Sequence, residues 1–218
     1  FNTQEVLIKM LGAKLGIKGA SRNEIRTNVL GINHFTWFDS ASYHEMDLFP
    51  IYREYVDENY ECGIEGDGEK NWRNDVFSSA QRVKFDLFKR YGLIAAAGDR
   101  HLAEFLPGPW YLRDPQTVAS WKFRLTTVEE RIRRQEEREL KRKRMISGEQ
   151  EVDLDASGEE GVRQIKALLG LGDLVTNVNL PNRGQMPEMP LNAVVETNAL
   201  FTRDRIQPVV AGGLPPEV

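Results

Sequence analysis

The spacing of apolar and polar residues predicts five helices along the chain. In residues 3–16, apolar side chains recur at positions 6, 7, 10 and 11 with the period of an α-helix. Residues 74–91 place six apolar side chains on one side of a helix, namely Val76, Phe77, Ala80, Val83, Leu87 and Phe88. Glycine, proline and capping signals limit the other predicted helices. These span residues 48–60, 125–145 and 162–169.

Shorter segments that alternate between polar and apolar residues predict strands at 26–30, 174–180 and 193–201. Three glycines among acidic residues predict a loop at 61–70. The βαβ alternation of a doubly wound parallel sheet is absent from this pattern. The sequence therefore predicts one domain, residues 1–218, of the α+β class, with mixed helices and a few late antiparallel strands.

Charged side chains surround the predicted helix at 125–145 almost completely. Thr127 followed by Glu130 is a capping-box pattern. Two pairs have the favourable i,i+4 spacing, Glu137 with Lys141 and Glu139 with Lys143. The basic run at 138–144 raises the hypothesis of a nucleic-acid patch, but five acids in the same helix favour a solvated or interface helix.

The composition limits which binding partners and which cellular compartment we expect for the protein. A net charge of −4 gives no electrostatic reason to expect nucleic acid or an anionic membrane, and no apolar run approaches the ~18 residues of a membrane span. The single Cys62 excludes an internal disulfide and fits a reducing compartment, so we expect a cytoplasmic protein. The first residues are already in helical rhythm without an initiator Met. We interpret this start as a sign of a missing upstream segment, with an irregular native terminus as the alternative.

Residues 97–105 carry several charged and titratable side chains, and they lie between an apolar run and a Pro-Gly-Pro turn. Asp99, Arg100, His101 and Glu104 put two acids, a guanidinium and an imidazole within six positions. Asp99 and Glu104 are candidates for a paired acid and base. Alternatively, the segment is a helix start in which Asp99 caps the first turn and Arg100 pairs with Glu104.

A second polar group lies at residues 31–37, where Asn33 and His34 occupy a turn after an apolar strand. His34 is a candidate metal ligand or general base, or else a half-buried histidine that donates to backbone. No second ligand stands at i+3 or i+4, so a metal at His34 needs ligands from elsewhere. The loop at 182–185 combines amides with a guanidinium, which suits a sugar or a carboxylate, or is a surface turn. Phosphate-loop, dinucleotide-binding, zinc-protease and serine-hydrolase motifs are absent from the sequence.

The two polar groups, together with residues 157–161, 180–186 and 191–198, resemble the C-terminal part of a family 4 glycoside hydrolase. The amino-acid sequence of residues 98–105 is most similar to that of the α-galacturonidase and α-glucuronidase branch. The resemblance implies a fold like the C-terminal domain of lactate dehydrogenase, without the Rossmann domain. It also implies hydrolysis that depends on NAD+ and a divalent metal, usually Mn2+. In that scheme the sugar is oxidised at C3, the C2 proton is removed, the leaving group is eliminated, water adds and the hydride returns.

Carried over residue by residue, the resemblance makes His34 the metal-binding histidine and Asn33 a substrate contact. Asp99 falls where the family's base lies, although other branches often have tyrosine there and Tyr91 is an alternate. The candidates for a uronate carboxylate are Arg100, His101 and Arg183. The family's second metal ligand, a cysteine, and its NAD-binding domain lie upstream of Phe1, and Cys62 is not that cysteine because it follows His34.

We therefore expect a catalytic domain that acts on a sugar, with a uronide favoured, and that is inactive without the upstream part. The full-length enzyme is expected to use NAD and Mn2+, to form a homo-oligomer, and to bind neither nucleic acid nor membrane. Three alternatives stay open. They are an α-glucosidase or α-galactosidase of the same family, a non-catalytic oligomerisation fragment, and a substrate domain of the lactate or malate dehydrogenase type.

Overall fold

The computed structural model describes residues 2–64, 70–152 and 160–218. Its helices are α1 Asn2–Leu15, α2 Phe49–Asn59, α3 Arg82–Tyr91, α4 Asp99–Phe105, α5 Gly108–Tyr111, α6 Pro115–Ser120, α7 Val128–Ser147 and α8 Gly161–Leu168. Its strands are β1 Ile25–Ile32, β2 Phe35–Tyr43, β3 Met46–Asp47, β4 Ile94–Ala95, β5 Leu174–Pro181, β6 Val194–Thr202 and β7 Arg205–Pro208.

The strands form two antiparallel sheets. In the first sheet β2 is central, because β1 pairs along one edge while β3 and β4 pair with different parts of the other edge. The second sheet has the order β5-β6-β7. The sheets meet through β1 and β6, where the side chain of Asn198 donates to the carbonyl of Thr27 at 2.7 Å. This arrangement confirms the predicted α+β class.

Strand β2 is buried on both faces. Phe38 packs into a core formed with α1, α2 and α3, whereas its neighbour Trp37 packs into a second core formed with α4 and α5. Both side chains are 2% exposed or less. Consecutive residues of a strand point to opposite faces, so apolar residues in a row here mean two cores rather than one. The alternation that identifies a strand is therefore missing from β2, and neither β2 nor its neighbours β3 and β4 follow from the sequence pattern.

The predicted helix at 74–91 is half wrong. The structure has a helix only from Arg82, because Gln81 has φ 61° and ψ 16°, in the left-handed region. Before that point the backbone bonds to other segments, since Ala80 N–H donates to the Lys122 carbonyl and Ile64 N–H donates to the Ala80 carbonyl. The helical spacing of Val76, Phe77 and Ala80 thus belongs to a loop.

The other predicted helices and strands are confirmed to within three residues at each end. Strand β7 and the short helices α5 and α6 are further elements that the apolar pattern does not predict. Within the predicted loop at 61–70, residues 61–64 and 70 are non-helical and the rest lie outside the described residues. Residues 157–159 of the motif at 157–161, and Phe1, also lie outside them.

Helix α7 is solvated, as predicted, and none of its residues is buried. The hydroxyl of Thr127 accepts from the N–H of Glu130, so one half of the capping box forms. The predicted i,i+4 partners are different in the structure, since Glu137 pairs with Arg133 at 2.7 Å rather than with Lys141. Among the described helices, none combines the length and apolar character needed to cross a membrane.

A buried carboxylate on α3 connects this helix to α5 and to the end of α2. Asp86 of α3 accepts from the hydroxyl of Tyr60, the hydroxyl of Tyr111 and Nε of Arg90, each at 2.6 Å. Burial by itself would raise the pKa of Asp86, but these three donors outweigh it and hold the pKa below its ordinary value. Asp86 therefore fixes α3 against α5 and the end of α2.

The turn between β1 and β2 depends on a glycine. Gly31 has φ 143°, and a Cβ at this position would collide with the carbonyl of Phe35 and lie 2.9 Å from Cα of Thr36. Because β1 and β2 approach each other this closely, the turn that carries Asn33 and His34 forms only with glycine at position 31.

We predict that Asp86→Asn lowers the free energy of unfolding by about 3 kcal/mol, because the amide cannot replace a charge that accepts from three donors. Urea unfolding near neutral pH measures this loss. Asp57→Asn is the matched control, since Asp57 forms an exposed pair with Lys89 and its loss should change stability by less than about 0.5 kcal/mol. Equal losses in the two variants would contradict the anchoring role of Asp86.

We predict that Gly31→Ala destabilises the protein by at least about 2 kcal/mol more than Gly19→Ala. Both glycines have positive φ, but an added Cβ at Gly19 meets nothing within 4 Å. The comparison therefore separates the cost of the collision from the general cost of an alanine at positive φ. Thermal unfolding of both variants tests the prediction, and indistinguishable midpoints would refute it.

Candidate functional site

The pairing of β4 with β2 brings the two polar groups of the sequence together. Trp37 is opposite Ala95, and Ala96 N–H donates to the carbonyl of Thr36 at 2.9 Å. The turn before β2 and the turn after β4 therefore emerge side by side at one end of the sheet. His34 lies in the first turn with φ 65°, and its ring stacks on that of His101 with centroids 5.0 Å apart.

A polar cavity of about 800 Å³ opens beside this histidine pair. Its walls come from the β1–β2 turn, the segment between β4 and α4, the start of α8, and strands β5 and β6 of the second sheet. The described side chains that give it its chemistry include Asn33, His34, His101, Gln164, Asn177 and Glu196. Both sheets thus contribute to one site, which we call the histidine cavity.

Amide and carboxylate side chains line the histidine cavity. The Nδ2 group of Asn179 donates to Oδ1 of Asn33 at 3.3 Å, which joins β5 to the β1–β2 turn. The Nδ2 group of Asn177 donates to Oε1 of Glu196, which is only 7% exposed. These groups offer donors and acceptors of the kind that bind sugar hydroxyls.

The protonation pattern of His101 follows from its two contacts. Its Nδ1 lies 3.1 Å from Oε2 of Glu104, and its Nε2 lies 3.4 Å from NH2 of Arg100. A carboxylate only accepts and a guanidinium only donates, so a neutral imidazole with its proton on Nδ1 satisfies both. Within the described part of the chain, the contact of the His34 ring is the stacking with His101, and both of its nitrogens are open to a ligand.

Asp99 does not line the histidine cavity. Its carboxylate is fully buried, and Oδ1 accepts from the backbone N–H of Lys84 at 3.1 Å, which ties the start of α4 to the start of α3. Burial raises the pKa of Asp99 to about 6, although the nearby charge of Lys84 opposes this shift. His101, rather than Asp99, is the residue of this segment that meets His34. The role of Asp99 as the base stays a prediction.

The other predicted contacts divide between the cavity and its surroundings. Arg100 reaches away from it, donating to the carbonyl of Val76 and the hydroxyl of Thr126. Arg183 is exposed and is not part of the lining. Tyr91 packs edge-on against Trp37 with centroids 5.7 Å apart, as expected for a core aromatic.

The loop that carries Arg183 closes on itself. Asn182 is 1% exposed, and its Nδ2 donates to the carbonyls of Met186 and Met189 at 2.8 and 2.7 Å. Its Oδ1 accepts from the N–H groups of Gly184 and Met186. The polar side chain of Asn182 is therefore used to shape the loop, which favours the interpretation as a surface turn.

The described residues hold no group of three or more histidine, cysteine or acidic side chains that could enclose a metal. His34 fits as one imidazole donor, because its ring is open and faces the cavity. A metal at His34 would therefore need further ligands from beyond the described residues.

Several lining residues were not singled out by sequence reasoning. Gln164 of α8 and Glu196 of β6 come from segments read only as a helix and a strand, and Arg22 lies just before β1. Asn177 and Asn179 alternate along β5, so both face the cavity, and this Asn-rich pattern was the available signal. Nothing local in the sequence shows that β5 and β6 approach the β1–β2 turn.

Comparison with known proteins agrees with this geometry. Residues 29–218 match the model of the family 4 glycosyl hydrolase C-terminal domain. An α-galacturonidase from Thermoanaerobacterium saccharolyticum is 56% identical over 218 residues, which cover all of this chain and 47% of that protein. The chain therefore spans about half the length of the curated relatives it matches.

Solved structures share the same fold. A Bacillus subtilis protein described as the glucosidase LplD is 52% identical with a TM-score of 0.92, over 99% of this chain and 49% of that one. A 6-phospho-α-glucosidase from gut microorganisms, solved with NAD and Mn2+, has 15% identity and a TM-score of 0.64 over 99% of this chain and 46% of its own. The family match, the whole-chain likeness to an α-galacturonidase and the shared fold lead to one conclusion: the chain belongs to the family 4 glycosyl hydrolases and carries their C-terminal domain.

Proposed function

We propose that the full-length protein carrying this domain hydrolyses α-linked galacturonides in the histidine cavity, with NAD+ and Mn2+ as cofactors. The observation that carries the proposal is the meeting of His34 and His101 at a polar cavity that both sheets line. The name α-galacturonidase, given to a relative 56% identical over the whole chain, supports the choice of sugar. An α-glucosidase is the alternative, because the 52% identical Bacillus subtilis structure is described as a glucosidase.

The residues of the cavity would bind and orient the sugar. Asn33, Asn177 and Glu196 present donors and acceptors to its hydroxyls. The neutral imidazole of His101 has one nitrogen held by Glu104, so its ring is fixed for contact with the substrate. Arg22 is in the described lining and provides positive charge for a uronate carboxylate, whereas Arg100 reaches away from the cavity.

His34 would hold the metal, together with ligands from the part of the protein that precedes this domain. Its backbone is in the left-handed region, and its ring stacks on that of His101. The chemistry that NAD+ and Mn2+ supply when bound is temporary oxidation of the sugar at C3 and polarisation of the resulting carbonyl oxygen. The 6-phospho-α-glucosidase that shares this fold and was solved with both groups supports them as cofactors.

We infer a positioning role for Asp99. Its full burial and its bond to Lys84 N–H support an anchor for the turn that presents His101, and an enclosed carboxylate is badly placed to take a proton from a sugar. The base would then be another group. Tyr91 is also disfavoured, because it packs against Trp37 and is not in the described lining of the cavity.

The remaining features of the full-length enzyme are also proposals. We expect NAD to bind to a domain upstream of this one, so this domain would be inactive by itself. The lone exposed Cys62 supports a cytoplasmic location. Exposed apolar side chains on and next to α8, namely Val162, Ile165 and Leu169, support a homo-oligomer, which light scattering of the full-length protein would measure.

We predict that His34→Ala in the full-length enzyme lowers kcat/KM for an aryl α-galacturonide by at least about 10³-fold, because the metal loses its donor from this domain. His44→Ala is the matched control, since His44 also lies in a turn at positive φ but is remote from the cavity lining. Steady-state kinetics with NAD+ and Mn2+ would measure both. Turnover of His34→Ala within threefold of the control would remove His34 from the site.

We predict that Asp99→Asn lowers kcat/KM by about 10- to 100-fold by displacing His101, and that the acidic limb of the pH–rate profile persists. The stability should change as well. The raised pKa means that the folded state holds the Asp99 proton more tightly than the unfolded state, so the contribution of Asp99 to wild-type stability declines as pH rises from about 4 to 6. In Asp99→Asn this decline should be smaller. Disappearance of the acidic limb together with a loss near 10⁴-fold in kcat would instead identify Asp99 as the base.

A further inference from the structure

A second group of basic side chains lies beside the histidine cavity. A cavity of about 980 Å³ between α7 and the loop before α3 is lined, among the described residues, by six basic side chains and two acidic ones. The basic ones are Lys70, Arg100, Arg131, Arg133, Arg134 and Arg138, and the acidic ones are Asp75 and Glu137. We call this surface the arginine groove. Its positive excess is notable in a chain whose net charge is −4.

The arginine groove adjoins the candidate sugar site. A smaller cavity of about 190 Å³ lies between them, and it shares Gly98 and His101 with the histidine cavity. It shares Phe77 and Arg100 with the arginine groove. A ligand longer than one sugar could therefore extend from the histidine pair along α4 to the face of α7.

Not all of the positive charge in the groove is neutralised internally. Arg133 and Arg134 both pair with Glu130, and Arg134 also approaches Asp75 at 3.5 Å. The side chain of Arg131 has no ion pair or hydrogen bond with any described residue. Arg138 donates through Nε to the carbonyl of Arg134 and has no described carboxylate partner. These two exposed guanidiniums remain available to an anionic ligand.

The guanidiniums also repel one another. The pKa of Arg100 is lowered, first by burial and then, against the opposing effect of Glu104, by the charges of Arg131 and Arg134. Such crowding of like charges is unfavourable in the free protein. It is relieved when anions bind among the guanidiniums, and arginine is the side chain best suited to hold carboxylates.

The groove contains an exposed aromatic ring as well. Phe77 is 64% exposed, and the guanidinium carbons of Arg100 and Arg134 lie 5.3 and 4.6 Å from the centre of its ring. The ring is therefore held in place by cation–π contacts on a surface whose other described lining residues are charged or polar. A flat apolar surface between cations suits a ligand that alternates ring faces with carboxylates.

We propose that the arginine groove binds further uronate units of an oligogalacturonide whose terminal unit occupies the histidine cavity. This inference rests on the proposed function for the terminal sugar. Carboxylates of the successive units pair with Arg131 and Arg138, and a sugar ring packs against Phe77. The domain is thus built for the acidic chain of an oligomeric substrate and not only for one terminal sugar.

A nucleic acid is the other polyanion that a basic surface can bind. The continuity with the sugar cavity favours a uronate chain, and five acids on the same helix lower the mean positive charge that a long phosphate backbone would meet. The choice between these polyanions is part of the test.

The test is calorimetric titration of the full-length protein with trigalacturonate, without Mn2+ and NAD+ so that turnover is absent. Arg131→Glu should raise the Kd for trigalacturonate at least 10-fold. Arg142→Glu is the matched control, because it makes the same charge change on an exposed position of the same helix outside the groove, and it should change Kd less than twofold. Methyl-esterified trigalacturonate, which lacks the charges, should bind the wild type at least 10-fold more weakly and respond equally to both substitutions.

Equal effects of the two substitutions, or no binding of trigalacturonate by the wild type, would overturn the inference. So would displacement of trigalacturonate by a single-stranded oligonucleotide at equal charge concentration, which would identify a general polyanion site. The proposed function fails separately, if the loaded enzyme does not cleave an aryl α-galacturonide while the Arg131→Glu effect on trigalacturonate binding persists. An active enzyme without that effect would reject the arginine groove alone.

Discussion

The pairing of β4 with β2 is the constraint on which the candidate site depends. It fixes the segment that carries His101 beside the turn that carries His34, although 66 positions of sequence lie between these histidines. The pairing is short, and two cores hold it in place, because Phe38 and Ile94 pack into one while Trp37 and Ala95 pack into the other. The position of the histidine pair is therefore set by apolar packing on both faces of one strand.

Buried polar groups then fix how the helices around this strand are oriented relative to each other. Asp86 binds three donors and locks α3 against neighbouring elements, while Asp99 ties the start of α4 to α3 through Lys84 N–H. Burying a carboxylate is costly unless donors match its oxygens, so the three donors of Asp86 specify one arrangement of its elements. Asp99 is matched on Oδ1 alone, since its buried Oδ2 has no hydrogen-bond partner among the described residues. The second sheet adds Asn177, Asn179 and Glu196 along the opposite wall, and the cavity exists only where the two sheets meet.

The sequence predicts those parts of the fold whose pattern is set by one buried face. The helices α1, α2 and α8 and the strands β1, β5 and β6 follow from periodicity, whereas α7, which has no buried residue, follows from its capping signal and its charge pattern. Strand β2 does not, because burial on both faces removes its alternation. The helix predicted at 74–91 is too long because Val76, Phe77 and Ala80 have helical spacing by chance. The helix begins only after Gln81, whose left-handed conformation is not marked by a proline or glycine in the sequence.

The candidate site was predictable in part for a related reason. The unusual concentration of charge at 99–104 and the Asn-His turn pointed to two segments that the structure brings together at the histidine cavity. Which side chain of a segment faces the cavity depends on tertiary packing, so His101 faces it while Asp99 turns inward and Arg100 reaches toward α7. The contribution of the second sheet needs contacts between elements that are far apart in the chain, and no local pattern records them.

The account's central claim is that His34 is a ligand at a sugar cavity formed by the histidine pair. Anomalous diffraction at the manganese edge, from crystals of the full-length protein grown with Mn2+, tests this claim most directly. The account predicts a peak within coordination distance of a ring nitrogen of His34, inside the histidine cavity. A manganese peak elsewhere, with none beside His34 at saturating Mn2+, would contradict it.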